Sequence, residues 1–141
     1  MTTPITKEEI NAVFPTVAQT MADALGCDLE DIKLDVSLIE GLDAESIDFL
    51  DMVFRLERAF KIKIPRGKIV ENARGTLSEA EFESGGIVTD AGMAQLRAYL
   101  TEIPADRFKT PMKAKDIPRL FTPETFCKLV ITAQRDAANA A

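Results

Sequence analysis

Between Glu45 and Phe60 the apolar residues return every three or four positions, and no other feature of the chain restricts its fold as tightly. Phe49, Val53, Leu56 and Phe60 make one stripe, with Ile47, Leu50 and Phe54 beside it and partly buried at most. A helix with a single stripe must bury it against other elements. Two further segments offer matching faces. Over Thr6–Leu25, Ile10, Val13, Phe14, Val17, Met21 and Leu25 recur at helical spacing, Thr6 and Glu9 stand at capping-box distance, and Gly26 supplies a stop. Pro15 either kinks this helix or delays its start. Near the C-terminus Thr122 is placed to cap a helix with Pro123 at its first position, and Phe126, Cys127, Leu129, Val130 and Ala133 form its buried face. Residues 135–141 are predicted to fray. The expected class is all-α.

The connecting segments are less regular. Residues 27–45 read as a packed loop anchored by Leu29, Ile32, Leu34, Val36, Leu38, Ile39 and Leu42; alternation at Leu34 and Val36 suits a strand, but no partner strand stands nearby. Gly41 permits a turn, and Pro65 ends regular structure after Ile62 and Ile64. Beyond it, Leu77–Phe82 makes one or two helical turns closed by Gly85-Gly86. Thr89–Leu100 is a fuller helix with Met93, Leu96, Ala98 and Leu100 as apolar members, and Ile103–Asp116, with Pro104 and Pro111, is a connector.

Charge narrows the function. The net is −6, and it is uneven: residues 1–65 carry 13 acidic and 6 basic side chains, the remainder 10 and 11. Such a balance disfavours nucleic acid and anionic membrane surfaces as principal partners. With no histidine, every His-based catalytic or metal arrangement is excluded. Cys27 and Cys127 sit within apolar patterns and read as buried thiols rather than a redox pair or zinc ligands. No stretch approaches the roughly 20 apolar residues of a membrane span, and no signal segment is evident, so a cytoplasmic protein is expected. No metal site and no catalytic residues are expected, since nucleotide-binding and hydrolase motifs are absent.

Glu40, Asp43, Glu45, Asp48 and Asp51 follow one another with no basic residue between them. Acids favour a helix N-terminus, but this run exceeds what capping requires, and it borders Ile47, Leu50 and Phe54. A negative, apolar-edged face suits docking to basic partners. Ser46 stands at the helix entrance. Either it caps the helix, or Asp43 or the backbone does so and leaves the hydroxyl exposed, where a phosphodiester would meet the positive end of the helix dipole.

The run Leu38-Ile39-Glu40-Gly41-Leu42-Asp43-Ala44-Glu45-Ser46-Ile47-Asp48-Phe49-Leu50 resembles the acyl carrier protein signature, with Glu45-Ser46-Ile47 where that family usually has Asp-Ser-Leu. Asp51–Phe60 followed by Lys-Ile-Lys-Ile-Pro65 resembles the family's second helix and its ending, and Asp48–Phe54 resembles the specialised carrier of very-long-chain acyl groups for lipid A. The resemblance implies an acyl-carrier-like four-helix bundle with 4′-phosphopantetheine covalently attached at Ser46 and an acyl group held as a thioester on its thiol. It implies a phosphopantetheinyl transferase as partner, with acyl-loading, chain-elongating and acyltransferase enzymes, docking through Glu45, Ile47, Asp48, Leu50, Asp51, Phe54 and Glu57. Arg58 departs from the acid frequent at its position and favours a dedicated pathway. Phe49 and Phe54 either shape an acyl pocket or belong to the core.

Typical carriers need about half this length. The chain is therefore expected to be a single acyl-carrier-like domain over 1–141, with a helical insertion, 66–115, between the second helix and the C-terminal helix. The third helix of the bundle falls near Asp116–Phe121 and the fourth at Thr122–Thr132. The basic stretch Arg107, Lys109, Lys113, Lys115 and Arg119 is a solvated connector or a site of transient contact with membrane headgroups, without stable membrane insertion. A monomer is expected. The alternatives are a noncatalytic helical interaction module, or a carrier of polyketide or aminoacyl intermediates.

Overall fold

The computed structural model describes residues 5–64, 74–103, 105–108 and 111–140. Pro65, residues 66–73 of the expected insertion, Pro104 and Lys109 lie outside them. In chain order the elements are α1 (Lys7–Leu25), α2 (Leu38–Leu42), α3 (Ser46–Phe60), α4 (Glu79–Phe82), β1 (Glu83–Ser84), β2 (Ile87–Val88), α5 (Asp90–Tyr99) and α6 (Pro123–Ala140), with 3-10 turns at Leu29–Asp31, Ala105–Arg107 and Ala114–Leu120. They form two compact units, Met1–Ile64 with Thr122–Ala141, and Pro65–Phe121.

In the first unit α1 packs against both α3 and α6. Thr6 and Glu9 close their capping box, and the helix runs through Pro15 without a break to Gly26, whose φ of 69° ends it. The proline's missing N–H costs one bond, but Pro15 is exposed while the opposite face stays continuous through Val13, Val17 and Met21. Phe14 and Leu25 are only half-buried. The segment expected to be loop holds the short helix α2, because the Ser37 hydroxyl accepts from the Glu40 amide and nucleates it, and Leu38 anchors it in the core. Leu29, expected as an anchor, is 48% exposed. No strand forms at Leu34–Val36; instead the Leu34 carbonyl accepts from the Glu124 amide at 3.2 Å, satisfying one of the orphan donors of α6.

Helix α6 begins as its sequence requires: Thr122 and Thr125 exchange backbone-to-hydroxyl bonds in a buried reciprocal cap, and Pro123 is fully buried. Phe126, Cys127, Leu129, Val130 and Ala133 are all buried. The helix does not fray from residue 135; it continues to Ala140, and the reason lies in Arg135, whose Nη2 donates to both carboxylate oxygens of Glu9 at 2.9 Å and ties the last turns to α1.

The second unit departs from an all-α expectation. Gly85 and Gly86 both adopt left-handed conformations, with φ of 60° and 82°, and this two-residue turn pairs β1 with β2 in register Glu83–Val88 and Ser84–Ile87. Lys113 adds a bridge to Ile87, and Val88 and Ala114 donate to the carbonyls of Met112 and Gly86. Ser78 with Glu81 caps α4, and Thr89 caps α5. Met93, Leu96 and Leu100 are buried as expected, whereas Ala98 is exposed. Gly92 lies so close to the Phe82 carbonyl that no side chain fits there. The segment expected to be the third helix of the bundle is a 3-10 helix, Ala114–Leu120, with Ile117 and Leu120 buried. Pro118 within it supplies no amide for an α-helical ladder. The described residues are thus mostly helical, with a core bundle, additional short helices and a hairpin.

Candidate functional site

The start of α3 is fixed by acids, not by serine. Glu45 occupies the N-cap; its amide donates to Asp48 Oδ2 at 2.8 Å, and the Asp48 amide donates back to the Glu45 carbonyl at 2.9 Å. Ser46 is therefore the first helical residue rather than the cap. Asp43, one of the two capping candidates read from the sequence, serves elsewhere, since it sits in the left-handed region at φ 56° and terminates α2. The spacing Glu45-x-x-Asp48 is an acid-only version of the capping box, and that signal was available in the sequence.

From this start α3 divides cleanly into faces. Met52 and Leu56 are fully buried, and Phe49 stacks on Phe126 with ring centroids 5.8 Å apart, so Phe49 belongs to the packed side. Val53 and Phe60 are half-buried, and Met52, absent from the expected stripe, takes the central place. On the other side Ile47 is 71% exposed, Phe54 43% and Leu50 38%. Burying these three in a partner would recover the apolar surface they leave in water.

The expected docking acids are partly committed to the helix itself. Glu45 is exposed. Asp48 holds the helix start, Asp51 pairs with Arg55 Nε at 2.9 Å, and Glu57 Oε2 accepts from the buried Ile64 amide at 2.7 Å. The Glu57 carbonyl also receives the Lys61 and Ile62 amides as the chain turns through Lys61 at φ 56°. Glu57 thus fixes the exit of α3 much as Asp48 fixes its entrance, a structural role that sequence spacing did not disclose. Arg58, in the last turn, is exposed and complements the negative end of the helix.

Both thiols are shifted upward. Burial pushes Cys127 up to about 12, with Glu124 adding to it. Cys27 is half-buried rather than buried; desolvation raises its thiol pKa, assisted by Asp31 and Asp28. Neither is a poised nucleophile. Among the described residues no group of three His, Cys, Asp or Glu could hold a metal ion, and no helix is long and apolar enough to cross a membrane. Of the basic stretch, Arg107 donates to the Arg119 carbonyl at 2.8 Å and Arg119 lies 3.6 Å from Asp116, while Lys113 and Lys115 are exposed.

The beginning of α3 suits a phosphodiester arm. Both chain neighbours of Ser46 are exposed, and the 15-residue helix directs its positive dipole end to that position.

Residues 15–78 match the phosphopantetheine attachment site family. The acyl carrier protein of Clostridium acetobutylicum is 40% identical over 53 residues, covering 38% of this chain and 69% of that protein. Acyl carrier protein AcpXL of Rhizobium meliloti is 41% identical over 74 residues, covering 52% and 78%. The acyl carrier protein of Petrotoga mobilis is 34% identical over 80 residues, covering 53% and 91%. No solved structure matches the chain.

Proposed function

The chain belongs to the acyl carrier protein family, a family of noncatalytic carriers with covalent phosphopantetheine, and from that premise we propose that Ser46 bears the arm and that the cargo is a very-long-chain acyl group for lipid A. The observation that carries the attachment reading is the position of Ser46 as first residue of a long helix capped by its neighbours. Attachment at Ser46 then leaves the Glu45–Asp48 cap undisturbed. The arm, once attached, supplies a thiol that holds acyl groups as thioesters.

The chain's own residues do the rest. The first turn of α3 receives the phosphodiester, while Ile47, Leu50 and Phe54, rimmed by Glu45, Asp48 and Asp51, offer an apolar and acidic face to basic partner enzymes. Those partners are a phosphopantetheinyl transferase and acyl-loading, chain-elongating and acyltransferase enzymes. Tethering raises the effective concentration of the acyl group at each of their sites. The cargo reading is supported by the Asp48–Phe54 segment, while similarity both to relatives named AcpXL and to general acyl carrier proteins supports acyl carriage itself. We read the chain as one acyl-carrier-like domain over 1–141 whose insertion, 66–115, distinguishes it from shorter carriers, acting as a cytoplasmic monomer.

The deciding experiment is intact-protein mass after incubation with coenzyme A and a broad-specificity transferase. The expected result is gain of one phosphopantetheine by the wild type and none by Ser46→Ala. A folded chain that gains nothing with several transferases would overturn attachment and favour a noncatalytic interaction module. Acyl loading compared across chain lengths then tests the cargo; indifference to length would overturn the very-long-chain assignment.

A further inference from the structure

Beside the loop that leads into Ser46 lies an open depression of about 470 Å³. Cys27, Val36 and Leu42 line it together with the charged Asp31, Lys33 and Asp43. A lining that mixes polar and apolar groups suits a chain of amides better than a hydrocarbon tail. Gly41 keeps this region closely built: a Cβ there would stand 2.7 Å from Val36 Cγ2, so α2 lies tight against Val36, which lines the depression.

Charge and reach both connect this place with Ser46. Lys33 is the one basic residue between positions 27 and 54, a stretch holding nine acids, and no carboxylate among the described residues pairs with it. Asp43, one of the lining residues, precedes Ser46 by three residues, so their Cα atoms are at most about 11 Å apart. A phosphopantetheine arm, comparable with an extended peptide of about five residues or roughly 17 Å, therefore reaches the lining at Asp43 with length to spare. We propose that this depression seats the arm when it carries no acyl group, with Lys33 facing its polar atoms and its terminal thiol brought to Cys27. The inference rests on attachment at Ser46.

Disulfide trapping tests it. Holo protein, with one phosphopantetheine verified by mass, is treated with diamide at pH 9, since burial and Asp31 raise the Cys27 thiol. Two S–H bonds break and one S–S bond forms; diamide takes both hydrogens with their electrons and becomes the hydrazine. The expected product is a monomer two hydrogens lighter whose peptide map joins Cys27 to the arm. It is absent from the apo protein and from Cys27→Ser, and apo and holo spectra differ at the amides of residues 31–43. A natively folded holo protein whose Cys27 and arm thiols stay free, or whose arm joins only Cys127 or another molecule, overturns the seat while leaving attachment intact. A wild-type chain that never becomes holo overturns attachment, and the seat with it.

Discussion

Leu56 and Ile47 lie on the same helix nine residues apart, and replacing each by alanine should separate stability from recognition. Leu56 is fully buried, so Leu56→Ala removes three buried carbons at about 0.8 kcal/mol each and leaves a cavity, for a total loss of about 3–5 kcal/mol. Ile47 keeps 71% of its surface in water, so its truncation forfeits less than about 1 kcal/mol of burial, and alanine's better helix propensity returns about 0.4 kcal/mol. Urea unfolding followed by circular dichroism measures both. In transferase loading the order should reverse. If Ile47 is buried against the partner, its truncation costs about 1–1.5 kcal/mol of contact, close to tenfold in kcat/KM, while Leu56→Ala loads normally at a temperature where it is folded. A loss above about 2 kcal/mol for Ile47→Ala would refute the assignment of faces along α3. Equal loading by Ile47→Ala and wild type would refute its role in docking.

Three further outcomes follow from local geometry. Asp43 and Lys61 both hold φ of 56°, so Asp43→Gly and Lys61→Gly should each raise stability by about 0.5–1 kcal/mol, the relief of left-handed strain exceeding glycine's entropy cost; a decrease at both in urea titration would contradict this. Glu9 has its carboxyl held below the usual range, first by the Thr6 amide and further by Arg135. Its contribution is present above the ordinary glutamate pKa and lost as pH falls through the lowered one, so the melting temperature of wild type should drop with acidification more than that of Glu9→Gln. With Cys127 pushed up to about 12 and fully buried, iodoacetamide at pH 8 should label Cys27 first and Cys127 only after unfolding, as read by peptide mass; early labelling of Cys127 would place it elsewhere than in the core.

The insertion gives a different lesson about legibility. Gly85-Gly86 was readable as a stop but not as a hairpin, because two-residue strands have too little alternation to register. The third strand-like contact comes from Lys113, 26 residues beyond Ile87, and no local window contains both. Likewise Leu34 gains its purpose only when the Glu124 amide arrives from the far end of the chain.

Short-range physics governs everything that could be read directly from the order of residues. Capping at Thr6 and Thr122, the stop at Gly26, the proline opening of α6 and the exposed line Ile47, Leu50 and Phe54 all depend on spacing within a few residues. Long-range packing settled what those spacings leave open. It put Met52 at the centre of α3's buried face, drew Phe49 onto Phe126, and carried α6 onward by joining Arg135 to Glu9 across 126 positions. The folded chain also gives the cap of α3 to Glu45 and Asp48, which leaves Ser46 as the first residue of the helix. A side chain's local preferences set the element it joins, but which of several competing partners it meets is fixed only when distant segments pack and desolvate together.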